Sequence, residues 1–221
     1  MKFENRKDGY YNIHGLLYPS VTTILKVISK PALVPWALLQ GIKIQKEHNP
    51  QTNQEALRIF NEVSEKAKTR GSNIHHLQEA FFKYGELPDL LAPDGYFKAL
   101  QAFHKDYEIE PVFVETELYS TRYQIAGTCD FMGLIKERKR ETWKVVVADW
   151  KTNAKATIYK EVQLQLSAYA HMAREMGLLT DIDTLFVVVF GEDGKYKVKE
   201  FEEDFESFLA VKALFDWSKR K

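Results

Sequence analysis

One cysteine, Cys129, is all the thiol this 221-residue chain contains. A lone cysteine cannot close an internal disulfide, build a zinc site of the cysteine type or ligate an iron–sulfur cluster. Net charge is also missing: 31 Lys+Arg stand against 31 Asp+Glu, a formal balance of zero. No global field therefore draws the protein to DNA or to an acidic membrane. Any nucleic-acid binding must come from a local basic groove, whose charge an acidic metal site could hide in the sum. No apolar run approaches the ~20 residues of a membrane span. The longest, residues 185–190, suits a buried strand. The opening MKFENRKDGYY lacks the apolar core of a signal peptide, so the expected compartment is the cytoplasm. There is no internal repeat, no low-complexity tract and no stretch resembling a flexible linker; residues 85–93 read as a connection with Pro88 and Pro93 as breakers.

What is present is an ordinary globular balance, 45% hydrophobic and 28% charged. The length fits one domain, able to bury roughly 70% of its unfolded surface. Residues 1–107 read as mainly helical and residues 108–221 as a sheet-containing core. A small hairpin over residues 10–13 and 16–18 turns at His14-Gly15. Ser20 caps a helix that Pro31 ends, and Pro35 opens another over residues 36–46. Helical spacing follows over residues 54–68, 71–84 and 95–107. The period then changes. Strands are expected over residues 112–119, 123–135 and 143–150, with the basic run 136–140 as a solvated hairpin tip. A helix over residues 158–176 stops at Gly177. Strands 185–190 and 196–201 and a helix over 204–219 complete a mixed α/β layer structure.

The chemistry concentrates at the end of the third of these strands. In Asp149-Trp150-Lys151, alternation sets Asp149 and Lys151 on one face and Trp150 on the other. If the strands bearing Asp130 and Asp149 form a hairpin, the two carboxylates meet, and they repel unless a cation or proton neutralises them. Hard oxygen ligands favour Mg²⁺ or Mn²⁺. Glu115 and Glu117, two apart on the preceding strand, offer a third acid. His75 offers a nitrogen ligand. Gln165 and Tyr169, four apart on the following helix, share a face.

These pieces, in this order, resemble the PD-(D/E)XK nuclease superfamily in its RecB-like exonuclease branch. They are Gly71-Ser72-Asn73-Ile74-His75, Glu115, Gly127-Thr128-Cys129-Asp130, Asp149-Trp150-Lys151-Thr152 and Gln165-Leu166-Ser167-Ala168-Tyr169. The opening Tyr18-Pro19-Ser20-Val21-Thr22-Thr23-Ile24-Leu25 is similar to the N-terminal signature of phage exonucleases and of the mitochondrial genome-maintenance exonuclease. With one cysteine, the chain resembles the cluster-free members. The first acid follows Cys129, where this branch usually has proline.

The resemblance implies a restriction-endonuclease-like mixed sheet flanked by helices. It implies a DNA exonuclease acting on single strands or free ends in replication, recombination or repair, with a flap endonuclease or a non-cutting recombination accessory as alternatives. It further implies one or two Mg²⁺ or Mn²⁺ ions on His75, Glu115, Asp130, Asp149 and the backbone carbonyl near Trp150. Lys151 would orient water or stabilise phosphorane charge, Gln165 and Tyr169 would position the strand, and the product would carry a 5′-phosphate. Glu115 is favoured over Glu117 because its distance to Asp130 resembles the family's spacing. No helicase motif is present, so a helicase, a single-strand-binding protein or a recombinase is the expected partner, and no membrane. The helical first third would cap the site. Trp36, Phe81, Phe82 and Tyr84 are candidates for base stacking, although large apolar residues are usually core, and Lys43, Lys46, Lys66, Lys68 and Arg70 for phosphate contact.

Overall fold

The computed structural model describes residues 6–28, 33–88, 94–154 and 156–220, without the side chains of residues 6, 33, 67, 68 and 70. The expected roles of Pro31, Pro93, Lys68 and Arg70 lie outside the described residues, as do residues 1–5 of the opening segment. The chain forms two compact units, one of Met1–Val27 with Ile74–Lys221 and one of Ile28–Asn73.

In the larger unit a small antiparallel sheet comes first: β1 (Arg6–Lys7), β2 (Tyr10–Ile13) and β3 (Leu16–Pro19). His14 and Gly15 both have positive φ, 51° and 80°, the two-residue turn whose twist matches a hairpin. Ser20 caps α1 (Val21–Ile24) by accepting the Thr23 N–H at 3.0 Å. The expected longer helix is not there. α1 lasts one turn and passes into a 3₁₀ turn, Leu25–Val27. Four β-branched residues in a row, Val21 to Ile24, are poor helix formers.

The larger unit continues with α4 (Gly95–Asp106), β4 (Tyr107–Ser120), β5 (Ile125–Glu137), β6 (Lys144–Thr152), α5 (Glu161–Glu175), β7 (Thr184–Phe190), β8 (Tyr196–Phe201) and α6 (Phe205–Lys219). The sheet order is β4-β5-β6-β7-β8. Only β6 and β7 run parallel, and α5 is the crossover between them. The protein is thus an α/β fold built on a mixed sheet flanked by helices. Strand boundaries shift from expectation, most of all at the start of β4 and the end of β5. β4 starts at Tyr107, directly after α4, instead of at residue 112. The basic run is not wholly a solvated tip: Lys136 still lies in β5, and its ammonium is 2.9 Å from Glu108 on β4. The Gly177 stop holds, with φ 66°.

One face of this sheet carries an apolar core in which Tyr96, Leu100 and Phe103 of α4 meet Phe131, Trp150, Phe186 and Phe190. α5 packs on the other face, where Gln165 reaches Asp149, the residue before Trp150. Adjacent strand residues pointing to opposite faces is what separates the greasy layer from the polar one.

The smaller unit contains α2 (Leu33–His48) and the first part of α3 (Asn53–Tyr84). Ile44 is buried among its described residues, and Trp36 meets Phe60 edge-on at 5.6 Å. The two helices expected over residues 54–68 and 71–84 are one helix of 32 residues. Gly71 does not break it, because a glycine inside a helix costs only about 1 kcal/mol relative to alanine. Its C-terminal part, in the larger unit, packs Ile74, Leu77 and Phe82 against the core. No helix of the described residues is long and apolar enough to cross a membrane.

Candidate active site at the end of the β5–β6 ladder

Register brings the acids together. In the β4–β5 ladder Val114 faces Phe131 and Thr116 faces Cys129, which sets Glu115 opposite Asp130. In the β5–β6 ladder the last pair is Phe131 with Ala148, so the next step brings Asp130 beside Asp149. There the ladder changes character. The Trp150 N–H donates to the Asp130 side chain, Oδ2, at 2.8 Å, where a regular strand would offer a carbonyl. Glu115 leaves the ladder as well. Its φ is 45°, a left-handed conformation in the middle of a strand that costs a residue with a Cβ on the order of 1–3 kcal/mol.

His75 of α3 closes this corner. Its Nε2 is 3.0 Å from the Trp150 carbonyl oxygen, which can only accept, so Nε2 carries a proton. Its Nδ1 is 3.1 Å from Glu115 Oε1 and 3.7 Å from Asp130 Oδ1. Burial alone would lower the imidazole pKa. The hydrogen bond to Glu115 and the charges of Asp130, Glu115 and Asp149 outweigh it and raise it to about 9. Asp130 also moves up, which for a carboxyl favours the neutral form. Burial first, then the neighbouring Asp149, push it up to about 7, with His75 and Lys151 pulling back. His75, Glu115 and Asp130 each place a ligand atom within 4.8 Å of the others.

Asp149 is 1% exposed and belongs to a second, adjoining network. Lys151 Nζ lies 2.8 Å from Asp149 Oδ1 and 2.7 Å from Oδ2. Gln165 Nε2 donates to Oδ1 at 2.8 Å and also reaches the Tyr169 hydroxyl at 3.3 Å. Oδ2 makes no well-angled hydrogen bond, and the ammonium lies beside it. Burial would lower the Lys151 pKa, but Asp149, Asp130 and Glu115 more than offset it and hold the ammonium above its usual range. Burial, then Asp149 and Asp130, push the Tyr169 phenol well above its ordinary value, so it stays protonated.

The rest of the motif has a packing explanation. A Cβ on Gly127 would come within 2.5 Å of Tyr169 Cε1, so the ring takes the space a side chain would need. Cys129 is fully buried, and burial raises its thiol pKa well above the ordinary value, so it is inert. Tyr11, in sequence an ordinary strand residue, is 1% exposed and shares a 3.0 Å hydrogen bond with Thr128. No spacing signal marks it, because β2 reaches β5 only through the tertiary fold.

All eight anticipated residues converge: His75, Glu115, Asp130, Asp149, Trp150, Lys151, Gln165 and Tyr169 form two touching networks. Glu117 pairs in register with Thr128 and does not belong to the three-residue ligand group. Phe82 packs on Phe131 and Phe81 on His104, leaving Tyr84 (69%) and Trp36 (40%) as the exposed members of the aromatic set. Lys43 lies 3.9 Å from Glu47, while Lys46 and Lys66 are exposed. His75, Glu115 and Asp130 could together hold a metal ion, and a donor set of carboxylate oxygens with one imidazole nitrogen is of the kind a hard divalent cation such as Mg²⁺ or Mn²⁺ accepts.

No family model and no curated protein matches the sequence. A solved structure described as "Crystal structure of SSO0001" aligns over 82% of this chain and 72% of its own, with 12% identity and a TM-score of 0.38, a likeness too low to support a conclusion.

Proposed function

We propose that the protein is a divalent-metal-dependent DNA exonuclease of the PD-(D/E)XK class, in the RecB-like branch, acting on single strands or free ends. The observation that carries this reading is the meeting of Glu115, Asp130 and Asp149 from three neighbouring strands, with His75 on one side and Lys151 on the other. Neighbouring carboxylates of this kind are costly to bury without a function that needs their charge. His75, Glu115 and Asp130 would hold the ion, with Asp149 adjoining. When bound, Mg²⁺ or Mn²⁺ supplies Lewis acidity toward a phosphodiester and lowers the pKa of water.

The chain's own groups do the rest. Lys151 is fixed by Asp149 yet keeps 37% of its side chain open to solvent, so its ammonium can meet the charge that builds on phosphate oxygens during in-line attack. Gln165 locks the Asp149 carboxylate in one orientation, which fixes Lys151 in turn. Tyr169, held protonated, can donate only as a neutral phenol and adds no negative charge near the substrate.

The test is degradation of end-labelled single- and double-stranded DNA with Mg²⁺, with Mn²⁺ and with chelator. Metal-dependent cleavage is expected, with Lys151→Ala slower by on the order of 10²-fold or more. Ladders from 5′ and 3′ labels give the polarity, and internal cuts would favour a flap endonuclease. Binding without cleavage under every metal condition would favour an accessory role and sink the nuclease reading.

A further inference from the structure

The outward face of α6 lacks what a surface helix normally carries. Phe208 and Phe215 mark its inner side, buried where the helix meets α1, the 3₁₀ turn and α5. On the opposite side, steps of four, three and four residues lead from Glu206 to Ala210, Ala213 and Trp217, with Leu214 beside them. All five are exposed, Leu214 by 50% and Trp217 by 67%. Between Ser207 and Ser218 the charged residues are Lys212 and Asp216. They lie to the side of this stripe and pair with each other at 2.6 Å. The stripe therefore runs for three turns without a charge of its own. An amphipathic surface helix turns polar and charged residues outward, and an exposed apolar patch of large residues marks an interaction surface.

What fits the stripe is another copy of it. It is bulky toward its C-terminal end, at Trp217, and small toward its N-terminal end, at Ala210. It starts on an acid, Glu206, and ends beside a base, Arg220. Both of these side chains are exposed, and neither has a partner among the described residues. A second α6 laid antiparallel matches both gradients at once. With a two-fold axis at Ala213 and Leu214, each Trp217 covers Ala210 of the other copy and each Leu214 meets its own counterpart. Each Glu206 then comes beside Arg220 of the other copy. The opposite ends of the two helix dipoles also lie side by side. A lipid surface would use the apolar stripe and leave the acid-to-base order without a purpose.

We infer that α6 pairs antiparallel with α6 of a second copy of this chain, in an isologous dimer centred on Trp217 and Leu214. The 15 residues of α6 make a strip about 22 Å long and about 10 Å wide, short of the roughly 800 Å² per partner of a standard interface. The dimer is therefore weak and reversible. It is independent of the nuclease reading, and DNA cleavage is not its readout.

Sedimentation velocity of the full chain at low salt, from about 1 to about 300 µM, reads an association of this size. The wild-type sedimentation coefficient is expected to rise with concentration toward that of a dimer. Ala210→Glu, which puts a carboxylate into the stripe and leaves the inner side alone, is expected to stay monomeric with an unchanged thermal melt. Glu206→Arg and Arg220→Glu should each weaken dimerisation on the order of tenfold, because the two-fold axis turns two ion pairs repulsive at once. The two reversals combined should restore it. Wild type that stays monomeric over the whole range overturns the inference; binding to vesicles would then assign the stripe to a membrane. A dimer that Ala210→Glu leaves intact is built on another surface. A double reversal as weak as the single ones overturns the antiparallel register.

Discussion

Glu115 shows how much a single residue can be asked to bear. The site needs a carboxylate opposite Asp130 and within reach of His75, and the strand supplies it through a left-handed residue at φ 45°. Thr116 braces the kink from the next position, its hydroxyl donating to the Val114 carbonyl at 3.2 Å. Stability and function should therefore separate here. Glu115→Gly relieves the strain and Glu115→Ala does not, while both remove the carboxylate. Urea denaturation is expected to find the glycine variant about 1 kcal/mol more stable than the alanine variant. Both should lose metal affinity equally by titration calorimetry. Equal stabilities would mean that the backbone relaxes once the carboxylate is gone. None of this was legible in the sequence, where Glu115 and Glu117 differ only in their spacing to Asp130. The pairing of Asp149 with Lys151 was legible, because strand alternation alone puts them on one face.

At the scale of elements, the seam between α3 and α4 hides a titrating group. His104 of α4 points its Nε2 at Gln78 of α3 and lies against Phe81, ring centroids 3.8 Å apart. Burial lowers its pKa to about 4 from an ordinary 6.5. Between those values the unfolded chain binds more protons than the folded one, so this residue makes stability fall as pH drops from about 6.5 to about 4. The full effect is up to about 3 kcal/mol. Substituting His104→Gln keeps a polar partner for Gln78 and removes the titration. Its stability–pH curve, from urea melts, should be flatter than wild type across that window; parallel curves would show His104 to be solvated. The sequence exposed the apolar stripe of α3 through Ile74, Leu77, Phe81 and Phe82, but not the histidine facing it from another helix. It also misjudged Gly71 as a break. Local chemistry marks where a helix is weak, and only packing decides whether it continues.

For the whole molecule, zero net charge conceals a separation: carboxylates gathered on β4, β5 and β6, and lysines on β8. The order of elements, helices first and the sheet later, followed from the change of hydrophobic period, whereas the ladder registers that align the acids needed the fold. Gathering acids has a global cost that metal should repay. Asp130 has a raised pKa, so the stability it contributes is present below about pH 3.8 and is lost as pH climbs through about 7. At pH 8 its ionised carboxylate lies buried near Asp149, and Asp130→Asn should raise the melting temperature of the metal-free protein. For wild type, Mg²⁺ or Mn²⁺ at ten times its Kd should add about 1.4 kcal/mol, a rise of about 3–5 °C that the variant lacks. A variant that still responds to metal would place the ion elsewhere. The parallel pairing of β6 with β7 also imposes an order in time. Asp149 is held by Gln165 from the crossover helix, and β6 gains its parallel neighbour only when residues 184–190 have been made. A chain still on the ribosome can carry every acid and lack the finished site.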